Sequence, residues 1–107
     1  MKVVKTHDWY DPEGLNIPND RVEVLYEDCY TSCLNYLIGL RSNYQNRFSD
    51  RKDITISDIK QKRKVIEKIP IDAFGGCKIK TEPVPESDYF EIYYMSAISK
   101  EYFSIVN

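Results

Sequence analysis

Apolar residues recurring at three- and four-residue steps across residues 22–44 constrain this chain more than any other feature. Val22, Leu25, Tyr26, Cys29, Tyr30, Cys33, Tyr36, Leu37, Leu40 and Tyr44 fall on one broad stripe when advanced by about 100° per residue. A stripe of that width has to be buried, so the segment is expected to be one long amphipathic helix. Asp20 is placed to cap it, with Glu23 three residues on in the capping-box position. Glu23, Glu27 and Asp28 lie off the stripe and suit the positive end of the helix dipole. Leu34 and Ile38 point to the opposite side, one turn apart. A second element covers them, or they form a small apolar patch that another copy of the chain would bury.

The remaining segments are arranged around that helix. Residues 2–7 are β-branched and read as a short strand, followed by a turn at Pro12 and Gly14. Residues 45–54 read as a polar loop. Thr55 and Asp58 form a second capping-box pattern ahead of a short basic helix from about Ile56 to Lys68, stopped by Pro70. After Gly75-Gly76, residues 77–81 alternate as a strand with Cys77, Ile79 and Thr81 inward. Two prolines make residues 82–88 a stiff loop. Residues 89–98 read as a central strand and 102–106 as a closing strand, with a C-terminal helix over 95–106 as the competing reading. The expected fold is a single α+β domain over residues 1–107. It has an N-terminal strand, a long central helix, a short basic helix, and a C-terminal antiparallel hairpin or meander packed on the central helix.

Composition narrows the setting. No apolar run is long enough for a signal peptide or a membrane-spanning helix, and none of the three cysteines has an obvious disulfide partner. These features lead to the expectation of a cytoplasmic protein that does not engage membranes. Chemistry is harder to find. His7 is the only histidine, and Asp8 beside it points to the other face of a strand. Cys29 and Cys33 stand one helical turn apart, but a structural zinc site needs four ligands and neither Cys77 nor His7 completes a second pair. Gly75-Gly76 leads into a strand, whereas a phosphate cradle leads into a helix. Neither an enzyme, a cofactor nor a metal ion is expected.

Charge is sorted along the chain. Residues 1–30 carry seven acids and three bases, residues 41–68 nine bases and four acids, and residues 69–107 six acids and three bases. Separated lobes of potential can steer a charged partner. The first expectation is therefore a small protein-binding module, an inhibitor of the kind represented by toxin-immunity proteins or phage-encoded host-defence inhibitors. It would use an acidic, tyrosine-rich face comprising Asp8, Trp9, Tyr10, Asp11, Glu13, Glu23, Glu27, Asp28, Glu82, Glu86 and Asp88. The alternative is an RNA- or DNA-binding regulator using Arg41, Arg47, Arg51, Lys52, Lys60, Lys62, Arg63 and Lys64, although a pI of about 5.4 is low for that role. A third reading is a homodimer or small subunit that buries Leu34 and Ile38.

Overall fold

The computed structural model describes residues 1–9 and 22–107, with side chains described at 1–7 and from 22 onward. In chain order it comprises β1 (Lys2–Trp9), β2 (Val22–Glu27), α1 (Tyr30–Arg47), β3 (Ile54–Ile56), β4 (Lys60–Pro70), β5 (Cys77–Tyr94) and β6 (Ser99–Val106). All described strands join one antiparallel sheet in the order β2-β1-β6-β5-β3, with β4 also on β5. The sheet curls into an open half-barrel, and α1 lies against one of its faces. The expected α+β layout of a long central helix, a short basic helix and a terminal hairpin is thus overturned. Among the described residues strands dominate, and a single 18-residue helix is their cover.

Two corrections explain most of that difference. Residues 22–27 pair with β1, setting Val24 across from Val4 and Tyr26 across from Val3. Val22-Glu23-Val24-Leu25-Tyr26 has strand alternation as well as helical spacing, and the β-branched valines fit the pleat. The helix therefore begins at Tyr30. Asp28, not Asp20, sits at its start and accepts the N–H of Cys29 at 2.7 Å. Asp20 lies outside the described residues. The basic segment 56–68 is not a helix either. Thr55 is in β3, Asp58 accepts from Arg41 at 3.2 Å, and Lys60–Pro70 runs as a strand along β5.

The stripe on α1 does what its spacing implies from Tyr30 onward. Cys33 and Leu37 are fully buried against Val3, Phe90, Ile92, Phe103 and Ile105, while Tyr30, Leu34, Tyr36, Leu40 and Tyr44 pack around that core. Phe90 and Phe103 stack at 4.8 Å between ring centroids. Leu34 is covered by this packing, whereas Ile38 is half exposed. Of the three thiols expected in the core, only Cys33 is there. Cys29 and Cys77 are exposed.

Beyond the core, β5 runs unbroken from Cys77 to Tyr94, through the segment expected to be a loop. Pro83 and Pro85 are tolerated because β6 pairs only with residues 89–94, so on that side the proline-bearing half of β5 has no ladder to feed. The competing helix over 95–106 is absent. A turn at Met95–Ile98 leads straight into β6, and Ile98 there takes a left-handed φ of 46°.

Candidate functional site

β4 and the first half of β5 leave the body of the sheet as a two-stranded ribbon. At its root, Lys62 donates its backbone N–H to Ser87 Oγ at 3.1 Å, and its ammonium lies 5.5 Å from the centre of the Tyr102 ring. Tyr102 also stacks on Tyr89, and burial pushes its hydroxyl pKa up to about 12. Past that point neither strand touches the core. Every residue from Lys60 to Gly75 is exposed, as are Cys77–Lys80. Cys77, Ile79 and Thr81 keep the alternation read from the sequence, but the face they occupy points to solvent and not inward.

Register assigns the two faces of the ribbon. Residues directly opposite each other in an antiparallel pair share a face. One face carries Lys64 across from Glu82, Glu67 across from Lys80 and Ile69 across from Lys78. Lys64 and Glu82 form an ion pair at 3.1 Å. The other face carries Val65 across from Thr81, Lys68 across from Ile79 and Pro70 across from Cys77, with Ile66 inserted at an irregularity. Arg63 belongs to this second face and grips Thr81, donating to its Oγ1 at 2.9 Å and its carbonyl at 3.0 Å.

The tip is built rather than loose. Asp72 Oδ1 accepts the backbone N–H of Phe74 and of Gly76, both at 2.9 Å, and Ile71 N–H donates to the Gly76 carbonyl at 3.0 Å. Gly75 has φ +87°, which side chains disfavour, and a Cβ on Gly76 would lie 2.6 Å from Asp72 Oδ2. This arrangement holds Phe74 97 % exposed at the far end of the ribbon, beside Ile71 at 65 %. With Val65, Ile66, Ile69 and Ile79, six large apolar side chains stand in solvent on one hairpin. Residues 60–82 also hold seven bases against three acids, and Lys60, Lys68, Lys78 and Lys80 have no ion-pair partner among the described residues.

Among the described residues, the members of the acidic face expected from the sequence are not brought together. Asp8 and Trp9 lie at the end of β1 with their side chains undescribed, and Tyr10, Asp11 and Glu13 lie outside the described residues. Glu23 and Glu27 are exposed on β2, three strands away from β5. Asp28 is spent at the helix start, where Cys29 N–H and the Tyr26 hydroxyl hold its carboxyl below the usual range. Glu82 is paired on the ribbon, and Glu86 lies within β5 with a left-handed φ of 58°. Asp88 is buried and accepts the Tyr30 hydroxyl at 2.5 Å, a contact that pushes the Tyr30 pKa up to about 12.

The basic set divides. Lys60, Lys62, Arg63 and Lys64 are on the ribbon, but the other members are elsewhere. Arg41 on α1 donates to the Ser57 carbonyl at 2.7 Å and to Asp58. Arg51 forks onto Asp53 with both contacts at 2.9 Å and holds that carboxyl down to about 2. Arg47 covers the Tyr44 ring at 5.2 Å, and Lys52 is in the turn that follows α1. Lys78, Lys80, Ile71 and Phe74 were not in either set. Their signal was the pairing of two runs, 60–70 and 77–81, around Gly75-Gly76.

The chain matches no family model, and no curated protein or solved structure is significantly similar to it. Two other features bear on chemistry. A shallow groove of about 230 Å³ beside Asn35, Tyr36, Gly39, Leu40 and Asn43 is smaller than most small-molecule sites. Glu101 is buried on β6, takes the Lys5 ammonium at 2.8 Å and accepts the Tyr94 hydroxyl, an arrangement that ties β1, β5 and β6 together. No group of three or more potential metal ligands occurs among the described residues, and no described helix is long and apolar enough to cross a membrane.

Proposed function

We propose that this chain is a non-enzymatic protein-binding module whose working part is the β4–β5 ribbon, with Phe74 as its anchor. The observation that carries this reading is the tip, where Asp72 and two glycines fix the backbone that presents an aromatic side chain 97 % exposed. A fixed tip loses little conformational entropy on docking, and a buried aromatic can supply much of an interface's energy. The target surface that fits is an apolar pocket with an acidic rim, because four lysines with no ion-pair partner among the described residues surround the apolar residues. An arm of this kind can fill the groove of a target protein, which is the form an inhibitor would take.

Nucleic acid fits less well. The arginines expected to join the basic segment are committed to contacts within the chain, and the ribbon's bases are divided between its two faces. The deciding experiment compares the wild-type chain with Phe74→Asp as immobilised bait after nuclease treatment. One protein should be retained in stoichiometric amount by the wild type, and Phe74→Asp should weaken its binding by about 30-fold, the scale of a hot spot. Equal retention by both forms would remove the ribbon tip from the interface. Retention of nucleic acid that declines steeply with salt would transfer the function to the lysines.

A further inference from the structure

We infer that two of the open edges of the sheet recognise each other between copies, strand β2 of one chain adding to strand β4 of the next. This contact uses the side of the ribbon and not its tip, so it stands or falls apart from the reading above.

The sheet order leaves β2 with β1 as its one strand partner and β4 with β5 as its one strand partner among the described residues. Each therefore turns a row of backbone N–H and C=O groups outward, the usual template for strand addition. Both edges also expose β-branched residues. Val22 and Val24 are 58 % and 52 % exposed on β2, and Val65 and Ile66 are 53 % and 46 % exposed on β4.

Charge then selects which edges can meet. β2 and the residue after it carry three acids (Glu23, Glu27 and Asp28) and no base, whereas β4 carries five bases and one acid. Lining β4 against a second β4 would set lysines against lysines, and β2 against β2 would set glutamates against glutamates. Like charges across a strand pair are destabilising. A lysine-rich edge blocks pairing with its own kind, but an acidic edge is its complement. The pairing is therefore heterologous, β2 to β4, and it propagates from copy to copy unless it closes into a ring. The six residues of β2 limit the overlap to about 20 Å of strand. An interface that small is weak, so association should depend on concentration and fall with added salt.

Sedimentation equilibrium of the full chain tests this. At low salt the mean mass should rise above 12.6 kDa with concentration and return toward it at high salt. Glu23→Lys with Glu27→Lys makes both edges basic, and Lys60→Glu with Lys68→Glu cancels the excess of bases on β4, leaving three of each sign there. Each chain alone should remain at monomer mass, and an equimolar mixture of the two should associate again. Lys60 and Lys68 have no ion-pair partner among the described residues, so the second variant keeps the test valid if the first folds poorly. A wild-type mass fixed at 12.6 kDa, or association that survives either charge reversal, overturns the pairing. A monomeric chain that still captures another protein through Phe74 would refute the edge pairing and leave the ribbon reading standing.

Discussion

Removing most of the ribbon should leave the rest of the molecule folded. The perturbation replaces Ile66–Lys80 with Asn-Gly, closing a two-residue hairpin between Val65 and Thr81, which already face each other in register. The seven residues of the buried core are Val3, Cys33, Leu37, Phe90, Ile92, Phe103 and Ile105, and none is deleted. The removed residues pair only with one another, so the cross-strand contacts that disappear, about 0.2–1 kcal/mol each, belong to the ribbon and hardly enter the stability of the body. The expected loss is below about 1 kcal/mol, which for a domain of this size lowers Tm by about 4–8 °C at most. Thermal unfolding by circular dichroism reads this directly, and urea unfolding gives a second check. Residues already exposed in the native state add little to the surface uncovered on unfolding, so the urea slope should change little. A much larger fall in Tm, or loss of a cooperative transition, would mean that the ribbon packs on the body and that its separation from the core is wrong.

Three further outcomes follow from the packing. Leu37→Ala should cost about 3 kcal/mol in urea unfolding, because the side chain is fully buried, while Ile38→Ala beside it should cost under about 0.5 kcal/mol; comparable losses would mean that α1 is rotated. Tyr30 ionises near 12 because Asp88 accepts its hydroxyl proton, so its stabilising contribution is complete below the ordinary tyrosine value of 10.0 and is lost as pH rises through about 12. Tyr30→Phe should remove one tyrosinate from the late phase of an absorbance titration and cost about 1–3 kcal/mol, with buried Asp88 left without that donor. Ile98→Asn should raise Tm by a few degrees, since Ile98 holds φ 46° with a half-exposed β-branched side chain and relief of that strain is worth about 1 kcal/mol; a lower Tm would show that its side-chain contacts outweigh the strain.

Where the sequence could be read correctly, the information was local. Tyr30, Cys33, Leu37, Leu40 and Tyr44 form a helix because one face is apolar at the helical period, and that face is the buried one. β1 and β6 were visible as β-branched or aromatic runs. Val22–Tyr26 satisfied two periods at once, and the choice between them was made by Val3 and Val4, remote in the chain. The segment Lys60–Lys64 is made of good helix formers, yet residues 77–89 of β5 provide a ladder for β4, and tertiary pairing overrides propensity. Candidate sites fared worse for the same reason. Acids at 23, 27, 82, 86 and 88 are a cluster only as letters, because β1 and β6 stand between their strands. Phe74 carried no signal of its own in the sequence, because its presentation depends on Asp72 reaching two backbone amides.

The position of β6 in the sheet has a kinetic consequence. It is the last strand in chain order, yet it sits between β1 and β5, with Lys2 facing Val106 and Tyr89 facing Ser104. Phe103 and Ile105, two of the seven core residues, arrive with it. During synthesis the β4–β5 hairpin can close from neighbouring residues within microseconds, but β1 has to wait with one edge unfilled until β6 has been made. Two of the seven core residues and both ladders that join β1 to β5 therefore wait for one late step that brings the two ends of the chain together. Contacts so distant in sequence slow folding, and the waiting β1 edge is where a nascent chain would meet chaperones or another copy of itself.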